Sequence, residues 1–214
     1  MRIGILGSGL MGGKLGTLFV RAGHEVVFSY SRSERKLKRL AREAGEGARA
    51  GTPAFASRES DVLLLAVHWS RVDDVLKQAG NLSGKVVVTC SLPMNASDTG
   101  LVVAHTSSGA EALAKKIPRA KVVAAFGTVP SEVLFDVFES KRRAKRPSLL
   151  YCGDDPRAKK IAGQLIRDVG FEPLDAGPLR MARYTEPFTL LVAQLAYEGD
   201  RGPELSYRFE WQRS

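Results

Sequence analysis

Cysteine is scarce in this chain. Only Cys90 and Cys152 occur among 214 residues, far apart and outside any C-x-x-C pattern. That excludes a disulfide scaffold and a cysteine-built zinc site, and reads as reduced thiols in a cytoplasmic protein. The three histidines, His24, His68 and His105, have no metal-ligand spacing such as H-E-x-x-H, so no metal centre is expected. No apolar run approaches the roughly 18 residues a membrane helix needs. A strand-like run opens the chain, which leaves no signal-peptide pattern. Acidic residues are outnumbered, 23 against 32 basic, for a formal net charge of +9.

That excess is local. One block is Lys141-Arg142-Arg143-Ala144-Lys145-Arg146 and another runs from Arg32 to Arg42. A basic balance suits nucleic acid, an anionic surface or anionic small molecules. The first block has no interleaved aromatics for base stacking, so a solvated face is the better reading and nucleic acid is not the expected partner.

What the chain does have is Ile3-Gly4-Ile5-Leu6 followed by Gly7-Ser8-Gly9-Leu10-Met11-Gly12. The hexamer is G-x-G-x-x-G, placed after a strand-like run and before a helix-like one, which is the context a dinucleotide site requires. Gly7 permits the turn, Gly9 lets a pyrophosphate approach the backbone, and Gly12 lets the helix pack on the strand. The anion would sit at a helix N-terminus, where free N–H groups and the dipole favour negative charge.

The second apolar run, Val26-Val27-Phe28, ends at Tyr30-Ser31-Arg32-Ser33, with Arg35 one turn on. An NAD site places Asp or Glu about 20 residues past the fingerprint, on the ribose 2′-hydroxyl. Here Ser31, Arg32, Ser33 and Arg35 stand instead, and a guanidinium fork suits a 2′-phosphate. NADP(H) is the expected cofactor; a merely solvated basic helix is the alternative.

Further strand-like runs are expected near Ala48 to Ala50, Val62 to Val67, Val86 to Val88, Val122 to Phe126, Ser148 to Cys152 and Pro173 to Ala176. Val62-Leu63-Leu64-Leu65-Ala66-Val67 is continuously apolar, as in a central parallel strand covered on both faces. Helical patterns lie between the runs, so the expected fold is α/β: a Rossmann-type, doubly wound, mostly parallel sheet with a small C-terminal helical portion. Residues 1–152 would form the NADP-binding domain, and residues 153–214 an extension completing the sheet and the acceptor cleft. Pro187 is expected to kink or restart the helix between Leu179 and Tyr197. Ligands bind beyond the carboxyl ends of such strands. Val67 and His68 are therefore placed at the cofactor, with Trp69 either at the site or in the core, and the polar stretch from Met94 to Ser107 over the cleft. His68 is the one polar candidate near a reacting centre.

Four stretches carry a family resemblance: GSGLMG at Gly7–Gly12, SYSRS at Ser29–Ser33, AFGTVP at Ala125–Pro130, and CGDD…LDAGPLRMARYTEP between Cys152 and Pro187. The chain resembles the NADPH-dependent reductases of the 8-hydroxy-5-deazaflavin coenzyme (coenzyme F-420), the deazaflavin:NADP oxidoreductase family. The same module is similar to the cytosolic reductase domain of eukaryotic metalloreductases. The resemblance implies a homodimer and direct hydride transfer between stacked nicotinamide and deazaflavin rings. It implies an acceptor wall formed by Leu92, Pro93, Phe126, Gly127, Thr128 and Pro130. Two positions depart from the family. Gly127 stands where archaeal members have His and many bacterial relatives Asn, and His68 where Pro is usual. The departures fall on the acceptor half and leave open a different flavin, quinone or metal-chelate acceptor, or an NADP-binding redox sensor without catalysis.

Overall fold

The structure is a computed structural model that describes residues 1–142 and 145–212. The elements run β1 (Arg2–Leu6), α1 (Leu10–Arg21), β2 (Glu25–Ser29), α2 (Glu34–Ala44), β3 (Ala48–Ala50), α3 (Pro53–Glu59) and β4 (Val62–Leu65). After a 3-10 turn (Trp69–Arg71) come α4 (Val72–Ala79), β5 (Val86–Thr89), α5 (Gly109–Lys116) and β6 (Lys121–Ala124). A second 3-10 turn (Ser131–Val133) leads to α6 (Leu134–Glu139), β7 (Ser148–Gly153), α7 (Pro156–Asp168) and β8 (Glu172–Asp175). A third (Leu179–Met181) leads to α8 (Ala182–Tyr197).

The strands form one sheet in the order β3-β2-β1-β4-β5-β6-β7-β8. β3 through β6 are parallel, β7 runs against β6, and β8 is parallel to β7. Helices cover both faces, so the fold is the expected doubly wound α/β sheet with a helical C-terminal portion. Alternation along each strand divides the core. Ile3, Ile5, Leu64, Val88 and Val123 face α1, α2, α6 and α7; Leu6, Leu63, Leu65, Val87 and Val122 face α3, α4, α5 and the start of α8. Each fully buried Leu or Ile of this set contributes about 1.5–3 kcal/mol through removal from water.

Two local outcomes, at Phe126 and at Pro187, differ from the expectations above. β6 stops at Ala124, and Phe126 turns out of the strand direction at φ 65°. α8 runs unbroken through Pro187, whose absent N–H would have bonded the Arg183 carbonyl; one bond is lost in the second turn and the helix continues. The stretch around Ser206–Trp211 forms no strand, but Tyr207 accepts the Ser148 N–H at 2.8 Å and so lies beside the start of β7. The division at residues 152 and 153 falls inside β7.

Candidate functional site: a dinucleotide cleft and its neighbouring wall

Where β1 ends, Gly7 takes φ +116°, and a Cβ on it would lie 2.4 Å from the Ala66 carbonyl oxygen. A Cβ on Gly12 would lie 1.9 Å from the Gly7 carbonyl oxygen, so α1 crosses the turn at backbone contact. Gly9 differs: it caps α1, no side chain caps the helix there, and nothing lies within 4 Å of where its Cβ would be. First-turn N–H groups thus face open space, as an anion site requires.

That space opens into a cleft of about 870 Å³ lined by Gly7, Ser8, Gly9, the β2 end from Tyr30 to Ser33, and Val67 and His68 past β4. Lys36, Lys38 and Arg71 also line it, cations that the sequence reading did not single out. Lys36 enters because Ser33 caps α2, its Oγ accepting the Lys36 N–H at 3.3 Å and starting the helix one residue later. Arg71 enters from the 3-10 turn after β4.

Two carboxylates share the cleft, and both are engaged. Glu34 pairs with Lys38 Nζ at 2.7 Å, which lowers its pKa. Asp74 accepts from Tyr30 Oη at 2.5 Å and Gln78 Nε2 at 3.0 Å, and these bonds lower its pKa. Partial burial, then the Asp74 bond, pushes the Tyr30 phenol up to about 12. Among the described residues, neither Arg32 nor Arg71 has a carboxylate within ion-pair distance. The cleft offers guanidiniums and ammoniums to a phosphate-rich ligand, with no uncommitted carboxylate at the end of β2. These residues fit a 2′-phosphorylated dinucleotide.

Other expected contacts lie elsewhere. Ser8 is buried and its Oγ donates to the Ser29 carbonyl at 2.9 Å, so only its backbone faces the cleft. Leu10 is exposed, Met11 packs on the core, and neither lines the cleft, nor does the exposed Arg35 on the first turn of α2. His68 commits both ring nitrogens locally. Nδ1 meets Ser70 Oγ at 2.8 Å and accepts the Ser70 N–H, while Nε2 meets Asp98 Oδ1 at 3.1 Å. It thereby fastens the hairpin closed by the Met94–Leu101 bridge to the cleft mouth, and does not line the acceptor cavity. Trp69 packs against the core cluster of α3, α4 and α5 and lines a neighbouring hollow with Met94 and Val102.

The acceptor wall assembles only in part. Leu92, Gly127 and Thr128 come together beyond β5 and β6 around a cavity of about 20 Å³, with Cys90, Thr185, Glu186 and Thr189. Desolvation pushes the Cys90 thiol up to about 12, so it is no thiolate nucleophile. Phe126 is fully buried, edge-on to Phe19 with centroids 6.1 Å apart, and belongs to the core. Pro130 is buried at the second 3-10 turn, and Pro93 is buried against Gly109. Nothing in the periodicity pointed to Thr185, Glu186 or Thr189, which α8 delivers from far along the chain.

Residues 2–93 match the family model described as NADP oxidoreductase, coenzyme F420-dependent. The matched segment, less than half of the chain, covers the glycine turn, the β2 end and the β4–β5 wall. The metalloreductase STEAP3 of Rattus norvegicus is 31% identical over 189 residues, 88% of this chain and 36% of the relative. The chain thus spans about a third of the curated relative it matches. A crystal structure of a proposed F420-dependent NADP-reductase from Arthrobacter sp. FB24 superposes with a TM-score of 0.85 at 21% identity, covering 98% of this chain and 99% of that one. The Sinorhizobium meliloti protein SMa0349 superposes with a TM-score of 0.72 at 24% identity, covering 98% and 96%. At these identities the two structures show a common fold. Among the described residues no helix is long and apolar enough to cross a membrane, and no cluster of potential metal ligands occurs.

Proposed function

We propose that this protein is an oxidoreductase that passes hydride between NADP(H) and a flavin-type ring, with 8-hydroxy-5-deazaflavin as the first candidate. The observation that carries the reading is the junction of two sites: Val67 lines the cation-rich cleft and donates its N–H to Ser91 Oγ at 3.2 Å, and Ser91 lines the cavity walled by Leu92, Gly127 and Thr128. The bound nicotinamide supplies the hydride chemistry. The chain's residues bind and orient: the first turn of α1 receives the pyrophosphate, and Arg32, with Ser31, Ser33, Lys36 and Arg71, receives the 2′-phosphate. Two rings need only near-attack geometry, and such positioning supplies about 7–11 kcal/mol in favourable systems. No general base is required for the hydride itself.

The test is anaerobic mixing of the protein with NADPH and, separately, 8-hydroxy-5-deazariboflavin, FMN, a quinone and a ferric chelate, following NADPH absorbance. Deazaflavin-dependent oxidation is expected. Tight NADPH binding with no acceptor reduced would overturn the reading. It would favour an NADP-binding sensor, a reading supported by the small volume of the acceptor cavity, about 20 Å³. Oxidation by the ferric chelate alone would assign metal reduction, the activity in the name of the rat relative.

We further propose a homodimer in the cytoplasm. Tyr184, Leu191 and Leu195 are exposed on α8, seven and four residues apart on one face, an apolar stripe suited to a second copy. Sedimentation at micromolar concentration decides it. Cys90 and Cys152 are free thiols, which suits a reducing compartment. In the basic block from Lys141 to Arg146, positions 143 and 144 lie outside the described residues, and nucleic acid is not part of the proposal.

A further inference from the structure

Glu186 is a carboxylate only 5% exposed, on the buried face of α8. Its Oε2 accepts the Gly109 N–H at 2.8 Å and its Oε1 the Ala110 N–H at 2.9 Å. These are the first two N–H groups of α5. The local cap serves a later N–H: Ser108 Oγ accepts the Glu111 N–H at 3.2 Å and donates to Glu111 Oε2 at 2.8 Å. The first two N–H groups are thus left to a carboxylate from another element, so this part of the cap also ties α8 to α5.

The tie reaches beyond the two bonds. A Cβ on Gly109 would lie 2.8 Å from Pro93 Cδ, so the Gly109 backbone is in contact with the Pro93 ring. Pro93 follows Leu92, which lines the acceptor cavity, as do Glu186 and its helix neighbours Thr185 and Thr189. The carboxylate thus sits between two walls of that cavity. It belongs to one through α8 and grips the other through Gly109.

We propose that ionised Glu186 is the positioning residue of the acceptor wall, drawing the start of α5, and through Gly109 the Leu92–Pro93 segment, against α8 at the spacing an acceptor ring needs. This rests on the hydride-transfer reading above. The carboxylate accepts both N–H groups; the protonated acid must turn one oxygen into a donor facing an N–H, and loses that bond. The groups facing it are Glu111 of α5, a like charge already held bidentate by Arg183 at 2.7 and 2.9 Å, and the Cys152 thiol of β7. Burial, against the two backbone bonds, raises the Glu186 pKa to about 7, so the clasp changes state near neutrality.

The experiment is a pH titration of the full-length protein. Backbone amide shifts of Gly109, Ala110, Leu92 and Met94 are followed by NMR without acceptor, and KM and kcat with NADPH and 8-hydroxy-5-deazariboflavin are measured alongside. All four amides are expected to titrate with one midpoint. The acceptor KM is expected to rise about tenfold from about pH 8 to about pH 6, while the KM for NADPH stays level, since charge-assisted bonds are roughly twice as strong as neutral ones. Glu186→Gln flattens both responses with KM fixed high, and Glu186→Asp keeps the titration. Movement of Gly109 and Ala110 alone, with Leu92 and Met94 still, overturns the proposal and leaves Glu186 as a helix cap. If no acceptor is reduced, the hydride reading fails by itself, and the Leu92 and Met94 amides still decide the clasp.

Discussion

The phenol of Tyr207 donates to Thr128 Oγ1 at 2.7 Å, joining the C-terminal tail to the end of β6 beside the acceptor cavity. The ring stands edge-on to Phe188 at 5.2 Å and to Phe209 at 5.6 Å. Tyr207→Phe keeps these contacts and removes only the hydroxyl. Loss of one hydrogen bond of about 1 kcal/mol should lower Tm by about 2–4 °C in calorimetry. The same change frees Thr128 to rotate and should alter the KM for acceptor but not for NADPH.

Arg32→Asp tests the cofactor assignment. It removes a guanidinium from the cleft and places a carboxylate where a 2′-phosphate would bind. The KM for NADPH should rise about 10- to 100-fold, the equivalent of losing a charged hydrogen bond, while that for NADH changes little. Equal changes for both would reduce Arg32 to a surface residue.

The fingerprint glycines should separate cleanly. Gly9→Ala puts a methyl into open space, so Tm should hold or rise slightly while NADPH affinity falls. Gly12→Ala puts one 1.9 Å from a backbone oxygen, and destabilisation of more than about 3 kcal/mol in urea titration is expected. If Gly9→Ala bound NADPH normally, the pyrophosphate would have to lie elsewhere.

Glu186 also predicts a pH dependence of stability. Its pKa is raised by burial from 4.5 unfolded to about 7 folded, so the folded state holds the proton more tightly. The associated stability is fully present below pH 4.5 and is lost as pH rises towards 7, in total about 3 kcal/mol. Comparing urea midpoints of the native protein and Glu186→Gln at about pH 5 and about pH 8 isolates this contribution from other groups. The charge that orders the acceptor wall is thus held at the expense of fold stability.

The nucleotide half was legible because its signals are local. The glycine spacing reflects the turn itself, where Gly7 takes φ +116° and Gly12 meets the Gly7 carbonyl, the β2 end is read from Ser31 to Ser33, and central strands announce themselves as unbroken Val and Leu runs. The acceptor half was not, because its residues converge from distant elements. Phe126 lies two residues past β6 and reads as a cleft residue, yet at φ 65° its ring packs inward onto Phe19. Arg35 shares a basic run with Arg32, but the helix that Ser33 caps carries it out of the cleft and brings Lys36 in. Glu186, next to an exposed Tyr184, looks like a surface charge until α8 is folded against α5.

The reversal of β7 against β6 places the beginning of β7, rather than its end, near Thr128. Ser148 receives the tail there, its N–H donating to the Tyr207 carbonyl and its Oγ accepting the Phe209 N–H at 3.0 Å. Three hydrogen bonds therefore moor residues 207–209 within reach of the acceptor wall. Mechanically the tail is a lever with a short arm: a pull on it loads Thr128 directly through the Tyr207 hydroxyl.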